Sequence, residues 1–314
     1  MEIFNKQPNF DFVGQRKLAV RVSGVLLVLA IACIAVRGLA FGIDFTGGTL
    51  IEVGYSKPAD IEAVRSALAS KGFPEAIVQH FGTTQDVLVR IAPREGINKA
   101  TLSAELEDIL EGAEGTELDM RRVEFVGPQV GEELTEQGIL AVIYALIGIF
   151  LYVMFRFQWR FSVGAVIALV HDITISLGVI SLVQIQFDLT VVAALLAVIG
   201  YSLNDTIVLF DRIRENFPRM LKSAPNEVVN TSVNQTLSRT VMTSLTTLLV
   251  LIALFVFGGE IIHAFAFTLI VGVIIGTYSS IYVASTSLLR LGVSKFDLLQ
   301  VEKEGAEFES NPLP

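Results

Sequence analysis

Long apolar stretches alternate with polar segments along this chain, and six of the apolar stretches are long enough to cross a membrane. A membrane-spanning helix needs about 20 predominantly apolar residues, within a range of about 17–25, because the hydrocarbon core is about 30 Å thick. The pattern therefore predicts six transmembrane helices, at residues 18–36, 139–155, 161–183, 189–210, 241–257 and 263–289.

The first apolar stretch, at residues 18–36, has two interpretations. One is a signal peptide cleaved near Ala40, since basic residues precede the apolar run. The other is an uncleaved first span. We favour the span, because the run is long for a signal core and no clean small-x-small cleavage pattern precedes Phe41.

The polar segment between the first two spans alternates strand-like and helix-like patterns. Composition and periodicity predict strands at residues 49–55, 76–81, 86–91 and 117–126, and helices at residues 59–71 and 101–110. The order β-α-β-β-α-β is that of the split βαβ motif, a small ferredoxin-like α+β domain. We therefore predict a folded domain at residues 37–137, inserted between helices 1 and 2. Gly47 and Gly48, just before its first strand, are expected to form a turn rather than a ligand-binding loop.

Lys and Arg residues occur on alternate connections between the predicted spans. They are present in the N-terminal lead, in the second-to-third and fourth-to-fifth connections and after the last span, whereas residues 184–188 and 258–262 have none. Cytoplasmic connections are enriched in these residues. The predicted organisation is a cytoplasmic N-terminus at 1–17, a periplasmic domain at 37–137, a five-helix region at 138–290 with a cytoplasmic loop at 212–240, and a cytoplasmic tail at 291–314.

Within that cytoplasmic loop, Val229, Val233 and Leu237 are four residues apart. The spacing predicts a short helix with one apolar face. Two interpretations stay open: an amphipathic helix lying at the membrane interface, or a connecting helix packed on the bundle.

The composition agrees with a membrane protein and excludes several other classes. Hydrophobic residues make up 52% of the 314 residues, and the mean hydropathy is +0.62. The net charge of −9 argues against a nucleic-acid partner. Cys33 is the only cysteine, so no intrachain disulfide can form. With three scattered histidines the sequence suggests neither a metal site nor a cofactor.

Residues 195–216 (LLAVIGYSLNDTIVLFDRIREN) combine a membrane-length helix with a carboxylate, Asp205. A charged side chain at the bilayer centre costs about 2.5–3.5 kcal/mol on insertion scales and usually faces the bundle interior. From the helical rise we expect Asp172 to lie about 16 Å into the third span and Asp205 about 24 Å down the fourth. Arg239 immediately precedes the fifth span and is the best charge partner for Asp205.

Other polar residues accompany these charges within the spans. We expect supporting polar side chains at Tyr201, Ser202, Asn204, Thr243 and Thr247. His171 and Asp172 are adjacent and point about 100° apart on a helix, so they need not act together. In the last span, Gly272 and Gly276 form a small-xxx-small pattern that favours close helix contact.

We interpret Asp205, Arg239 and Asp172 as candidate proton-coupling residues. A carboxylate balanced between burial and a nearby arginine can take a proton from one side and release it on the other when its partner moves. The alternative for Asp205 is a structural role, in which hydroxyls and Arg239 hold it to fix the packing. No nucleophile–base pair stands out, so we do not expect an enzyme.

Several longer motifs resemble those of the SecD/SecF family of the bacterial Sec secretion machinery. Within that family they resemble the motifs of the smaller member, which has six spans. They are residues 41–53 (FGIDFTGGTLIEV), 123–129 (VEFVGPQ), 155–160 (FRFQWR), 168–172 (ALVHD), 200–216 (GYSLNDTIVLFDRIREN) and 281–285 (IYVAS). The resemblance implies a fold related to the resistance-nodulation-division transporters. It also implies that the family's functional aspartate falls on Asp205 and its arginine on Arg239.

The resemblance further implies a role and a set of partners. The role is late movement of preproteins across the bacterial inner membrane, driven by the proton motive force. The partners are SecD, the SecYEG channel, the translocating preprotein, protons and membrane lipids. Because the working family unit has two such halves, this chain is expected to need SecD.

Two other classes of protein are also compatible with the sequence. A half of a proton-coupled drug or lipid exporter would share the helix bundle but is expected to carry larger external domains. An intramembrane aspartyl protease would use Asp172 and Asp205 together. Their expected depths differ by roughly 6–10 Å within a core of about 30 Å, whereas a catalytic pair shares one level.

Overall fold

The computed structural model describes residues 9–93, 99–114 and 118–293. The first eight residues and most of the predicted tail, 294–314, lie outside the described residues, as does Glu117 at the predicted start of the fourth long strand. In chain order the elements are α1 (Arg16–Arg37), β1 (Ala40–Phe41), α2 (Ile43–Thr46), β2 (Gly48–Tyr55), α3 (Ile61–Ser70), β3 (Ile77–Phe81), β4 (Thr83–Ile91), α4 (Lys99–Glu114), β5 (Leu118–Val126), α5 (Pro128–Arg156), α6 (Trp159–Val183), β6 (Gln186–Phe187), α7 (Leu189–Arg219), α8 (Pro225–Phe257), α9 (Glu260–Ser279), a π-helical segment (Ser280–Ala284) and α10 (Ser285–Arg290).

Six spans of membrane length occur in the described part of the chain, as predicted. They are α1, α5, α6, α7, α8 and a last span that runs through α9, the π-helical segment and α10. Half or more of the apolar stretch of α6 and of α7 is buried inside the protein, whereas α1, α5 and α8 bury little of theirs. The centre of the bundle is therefore α6, α7 and the last span.

The two glycines of the last span allow it to approach α7 closely. A Cβ atom on Gly272 would overlap the Val198 side chain, and one on Gly276 would lie 3.0 Å from Cβ of Ser202. The predicted close helix contact is confirmed, and α7 is the helix in contact. Small residues are required here because the backbones have no room for larger side chains between them.

The segment between α1 and α5 folds as a four-stranded antiparallel sheet with α3 and α4 packed against it. The strand order is β3-β4-β2-β5. Since β4 lies between β2 and β3, this is the split arrangement of the β-α-β-β-α-β order. Its core is fully buried and includes Ile51, Val53, Val64, Leu68 and Leu106.

Gly47 and Gly48 form the turn from α2 into β2. Both have positive φ angles, +67° and +121°, which residues with a Cβ atom rarely adopt. A Cβ atom on Gly48 would collide with the carbonyl oxygen of Ile91, and one on Gly47 would lie 3.0 Å from Cα of Pro128. The turn expectation is confirmed, and the glycines also allow β2 to pack tightly against its neighbours.

A second set of contacts ties the sheet domain to the start of α7. Strand β1 pairs in parallel with β6, and the Arg90 side chain donates to the carbonyl oxygen of Phe41. Burial lowers the pKa of the Arg90 guanidinium from its ordinary value. The Asp44 carboxylate accepts a hydrogen bond of 2.9 Å from the backbone N–H of Leu189, the first residue of α7. The domain is thus in direct contact with the helix that carries Asp205.

The predicted cytoplasmic loop at 212–240 is mostly helical. Helix α7 continues through the arginine-rich run to Arg219, and α8 begins at Pro225 and runs without interruption to Phe257. The predicted short helix around Val229 and Val233 is therefore the first part of α8. Both valines are buried inside the protein. The interfacial interpretation of this segment is wrong, because its apolar face packs on protein.

Polar side chains explain why this part of α8 stays on the bundle. The side-chain N–H of Asn216 donates to Oγ of Ser232 at 2.9 Å and to Oε1 of Gln235 at 2.8 Å. Asn234 accepts from the backbone N–H of Phe10 and donates to its carbonyl oxygen, both at 2.8 Å. These bonds hold α8 against α7 on one side and against the N-terminal segment on the other.

The close contact at Gly272 predicts an asymmetry between two glycine substitutions. Gly272→Leu should lower the midpoint of thermal unfolding, because overpacking a well-packed contact costs about 1–3 kcal/mol. Gly200→Leu is the matched control, since nothing lies within 4 Å of a Cβ atom at Gly200 on α7. Thermal unfolding of the purified protein in detergent, followed by Trp159 fluorescence, measures both. Equal shifts in the two variants would contradict the packing argument.

Candidate functional site

Two carboxylates are buried in the centre of the bundle, Asp172 on α6 and Asp205 on α7. Their exposed fractions are 1% and 4%. Both helices are apolar around most of their circumference, so only an inward orientation removes the carboxylates from lipid. Their hydrogen-bonding surroundings differ, and this difference separates their roles.

The Asp172 carboxylate accepts hydrogen bonds from two other helices. Its Oδ2 atom accepts from Oγ of Ser202 on α7 at 2.6 Å and from Oγ of Ser279 on the last span at 2.7 Å. Its Oδ1 atom lies 2.9 Å from Nδ1 of His171. His171 and Asp172, which need not act together by their positions on a helix, are hydrogen-bonded to each other in the structure. We call Asp172, His171, Ser202 and Ser279 the Asp172 network.

The network extends from His171 to the first span. The His171 ring stacks on Tyr278, with ring centroids 6.2 Å apart. The Tyr278 hydroxyl donates to the carbonyl oxygen of Ala19 at 2.8 Å and lies 3.1 Å from Oγ of Ser23. A continuous set of polar contacts thus joins α1, α6, α7 and the last span.

The π-helical segment begins one residue after Ser279. Its first residue, Ser280, lies with its hydroxyl 2.9 Å from that of Thr206 on α7 and also donates to the carbonyl oxygen of Ser202 at 3.3 Å. The wider turn of a π-helix changes which side chains face inward, and such segments recur at functional sites. Two consecutive serines of the last span consequently both bond to the buried polar centre.

Asp205 is buried but incompletely hydrogen-bonded. Its Oδ2 atom is shielded from solvent and has no hydrogen-bond partner within the described chain. Asp205 follows Ser202 by three residues, so it lies about 4.5 Å further along α7 than the level of the Asp172 network. A buried polar atom without a partner is costly and calls for an explanation.

Arg239 and Thr243 on α8 are the groups that act on Asp205. The positive charge of Arg239 and the Thr243 side chain both interact with the carboxylate. Arg239 is exposed on the bundle surface, and no ion pair within 4.0 Å joins it to Asp205 in the residues described. The Thr243 hydroxyl also donates to the carbonyl oxygen of Arg239 at 3.0 Å. Since a hydroxyl has one proton, it can serve the backbone or the carboxylate, but not both.

The remaining predicted polar residues are not all at this site. The Tyr201 hydroxyl donates to Oγ of Ser244 at 3.4 Å, and Ser244 lies 2.6 Å from the Thr277 hydroxyl, so these residues connect α7, α8 and α9. Thr247 is half-buried one turn beyond Thr243. Asn204 is exposed, which separates it from its neighbour Asp205.

The sequence indicated both carboxylates and Ser202, but not Ser279, which also bonds to Asp172. Ser280, Thr206 and Tyr278 were likewise not among the predicted polar residues. The sequence feature that could have indicated these bonds was the number of hydroxyl-bearing residues in the last span. Their pairing with Asp172 and Thr206 depends on the rotation of the helices about their axes, which spacing alone does not specify.

The arrangement separates a satisfied carboxylate from an unsatisfied one. Asp172 has partners for both oxygens, so its network can hold three helices in one arrangement. Asp205 keeps one oxygen without a partner and has an arginine nearby on another helix.

Comparison with protein-family models gives two matches. Residues 105–294 match the model described as protein export membrane protein SecD/SecF, C-terminal, and residues 34–59 match the model of the SecD/SecF GG motif. The first match includes the spans α5 to α10 and both buried carboxylates. The second includes Gly47 and Gly48.

Relatives of similar length share much of the sequence. The chain is 52% identical over 313 residues to the protein translocase subunit SecF of Vibrio alginolyticus, which covers 99% of both chains. It is 47% identical over 301 residues to the subunit of the same name from Escherichia coli O157:H7, covering 95% of this chain and 93% of the relative.

Solved structures are similar as well. A crystal structure of SecDF, a translocon-associated membrane protein from Thermus thermophilus, matches with a TM-score of 0.84 and 39% identity. A second structure of SecDF, in the super-membrane-facing form, matches with a TM-score of 0.68. In both cases the match covers 92% of this chain but 39% of the solved chain, so most of the solved chain has no counterpart here.

The Asp172 network predicts unequal effects of two serine substitutions on one span. Ser279→Ala should destabilise the protein by about 1.5–3 kcal/mol, because it removes a hydrogen bond to a buried charged group. Ser285→Ala is the matched control, since the Ser285 hydroxyl bonds only to carbonyl oxygens of its own helix. Both free energies of unfolding can be measured by titration with denaturing detergent. A larger loss for the Ser285 variant would contradict a role of the network in holding the helices together.

Proposed function

Because the chain belongs to the SecD/SecF family of protein export membrane proteins, we propose that it is a subunit of the Sec protein-export machinery. In this proposal it works with SecD beside the SecYEG channel. It uses the proton motive force to assist the late movement of preproteins across the bacterial inner membrane. Asp205 is the group that binds and releases the proton.

The observation that carries the proposal is the unpartnered Oδ2 atom of Asp205. An ionisable side chain at membrane depth costs about 2.5–3.5 kcal/mol and tends to mark an ion or proton pathway. A carboxylate kept only for packing would be expected to have partners for both oxygens, as Asp172 has. The open oxygen of Asp205 supports the functional interpretation over the structural one.

Arg239 completes the proposed coupling step. Its charge interacts with Asp205 while its side chain is exposed on the surface of the bundle. When Asp205 is ionised, Arg239 is attracted to it. When Asp205 is protonated, that attraction is lost and α8 is free to shift. A membrane potential of 100 mV supplies about 2.3 kcal/mol per charge, which is enough to bias such a two-state change.

Asp172 has a different part in the proposal. Its network fixes α6, α7 and the last span relative to one another, and Ser202 places one end of that network three residues from Asp205. We therefore propose that Asp172 supports proton coupling by keeping the face of α7 that carries Asp205 in position.

SecD is the proposed partner because this chain accounts for a minor part of its structural relatives. The match to the SecDF structures covers 92% of this chain and 39% of theirs. The exposed apolar side chains on α8, including Leu245, Leu249 and Ile252, offer a surface on which a second helical subunit can pack.

The proposed orientation follows from the basic residues. Arg212, Arg214 and Arg219 lie at one end of α7, and the sheet domain lies at the other end, against Leu189. With the basic end cytoplasmic, both termini are cytoplasmic and the domain at 37–137 is periplasmic.

Asp205→Asn tests the proton-binding role. The variant should still insert and bind SecD but should lose proton-driven export. The reason is that an asparagine amide, unlike a carboxylate, does not bind and release a proton at physiological pH. Asp211→Asn on the same helix is the control: its carboxylate is more exposed and lies 3.7 Å from the Arg156 guanidinium. Export is measured in inverted vesicles energised only by a proton gradient. Retained proton-driven export in the Asp205 variant would contradict the proposal.

A double-mutant cycle tests the coupling of Arg239 to Asp205. Arg239→Ala should reduce proton-driven export to the level of Asp205→Asn, and the double variant should be no worse than either single one, because all three block one step. Arg239→Lys should retain part of the activity, since it keeps the charge. Fully additive defects would show that the two residues act independently.

A further inference from the structure

A groove on the outside of the bundle lies between α1, α6 and the last span, and Asp205 is not among the residues that line it. It encloses about 460 Å³ and its lining is mostly apolar. The lining includes Val20 and Gly24 on α1, Ile167 and Val170 on α6, and Val283 on the last span. Ile167 and Val170 remain more than 40% exposed. We call this cavity the α1–α6 groove.

Direct contacts between α1 and the last span keep the groove from closing. The hydroxyl of Tyr278 donates to the carbonyl oxygen of Ala19 and contacts Ser23, at 2.8 and 3.1 Å. Nothing lies within 4 Å of a Cβ atom at Gly24. The two helices are therefore bonded to each other at this level, and the surface beside Gly24 is open to whatever surrounds the bundle.

One end of the groove is basic. Arg290, in the last turn of α10, lines it, and no carboxylate of the described chain forms an ion pair with Arg290.

This distribution of charge matches an anionic phospholipid. Basic pockets between transmembrane helices bind anionic lipid headgroups. Besides Arg290, the lining carries the polar side chains of Ser23, His171, Tyr282, Thr286 and Ser287, and its other residues are apolar. A phosphate near Arg290 would leave an acyl chain lying along the apolar residues.

We propose that the α1–α6 groove is a binding site for one anionic phospholipid, with the headgroup phosphate at Arg290 and one acyl chain between α1 and α6.

The test compares lipid binding to the full chain, purified with its co-expressed partner subunit, in detergent. Native mass spectrometry counts bound lipids while phosphatidylglycerol, or phosphatidylcholine with the same acyl chains, is titrated. The wild-type complex should bind phosphatidylglycerol more tightly. Arg290→Gln should weaken that binding about fivefold and reduce the headgroup preference, because one basic residue near the membrane surface contributes about that factor.

Gly24→Leu tests the acyl-chain part of the site. The leucine should occupy the open space and weaken phosphatidylglycerol binding by about tenfold or more, since it takes volume that the chain needs. Gly148→Leu on α5 is the matched control, because a Cβ atom there also meets nothing within 4 Å. Ile167→Trp fills the groove from α6 and repeats the test if the Gly24 variant does not fold.

Three results would overturn the lipid site. They are equal binding of the two lipids by the wild-type complex, unchanged binding in the Arg290 variant, and unchanged binding in both groove-filling variants. A photoreactive residue in place of Ile167 shows whether a lipid or the partner subunit occupies the groove. Cross-linking to lipid supports the proposal, whereas cross-linking to the partner subunit contradicts it.

Discussion

The polar centre of this bundle depends on one requirement: a carboxylate removed from water needs hydrogen-bond donors. Asp172 meets it through the hydroxyls of Ser202 and Ser279, which come from two other helices. Those bonds are possible only because the last span lies close to α7, and that approach depends on Gly272 and Gly276. Close packing and hydrogen bonding therefore support each other at one level of the bundle.

Asp205 does not fully meet this requirement for hydrogen-bond donors. The Oδ2 atom of Asp205, three residues along α7 from Ser202, has no hydrogen-bond partner in the described structure. The surrounding helices could accommodate a further donor, as they do at Asp172. The polar centre is thus fully hydrogen-bonded at the level of Asp172 and incompletely hydrogen-bonded at the level of Asp205.

Hydropathy and periodicity predicted the six spans and the order of the sheet domain because both depend on local patterns of apolar residues. They failed where structure depends on contacts between distant residues. The connection at 212–240 was predicted to contain a short helix, whereas α7 and α8 extend through most of it, and there Asn216 and Asn234 bond to other segments. Likewise, Asp172 and Ser202 could be recognised as polar residues within the spans, but not the bond that Ser279 makes to Asp172.

The contacts at Leu189 join the sheet domain to the buried carboxylates. Asp44 bonds to the first backbone N–H of α7, and β1 pairs with β6 immediately before that helix. Helix α7 then continues without interruption past Ser202 and Asp205 to Arg219. An uninterrupted helix transmits displacement along its axis better than a broken one, because each turn is hydrogen-bonded to the next. Helix α7 is therefore a continuous connection between Asp205 and the domain contact at Asp44.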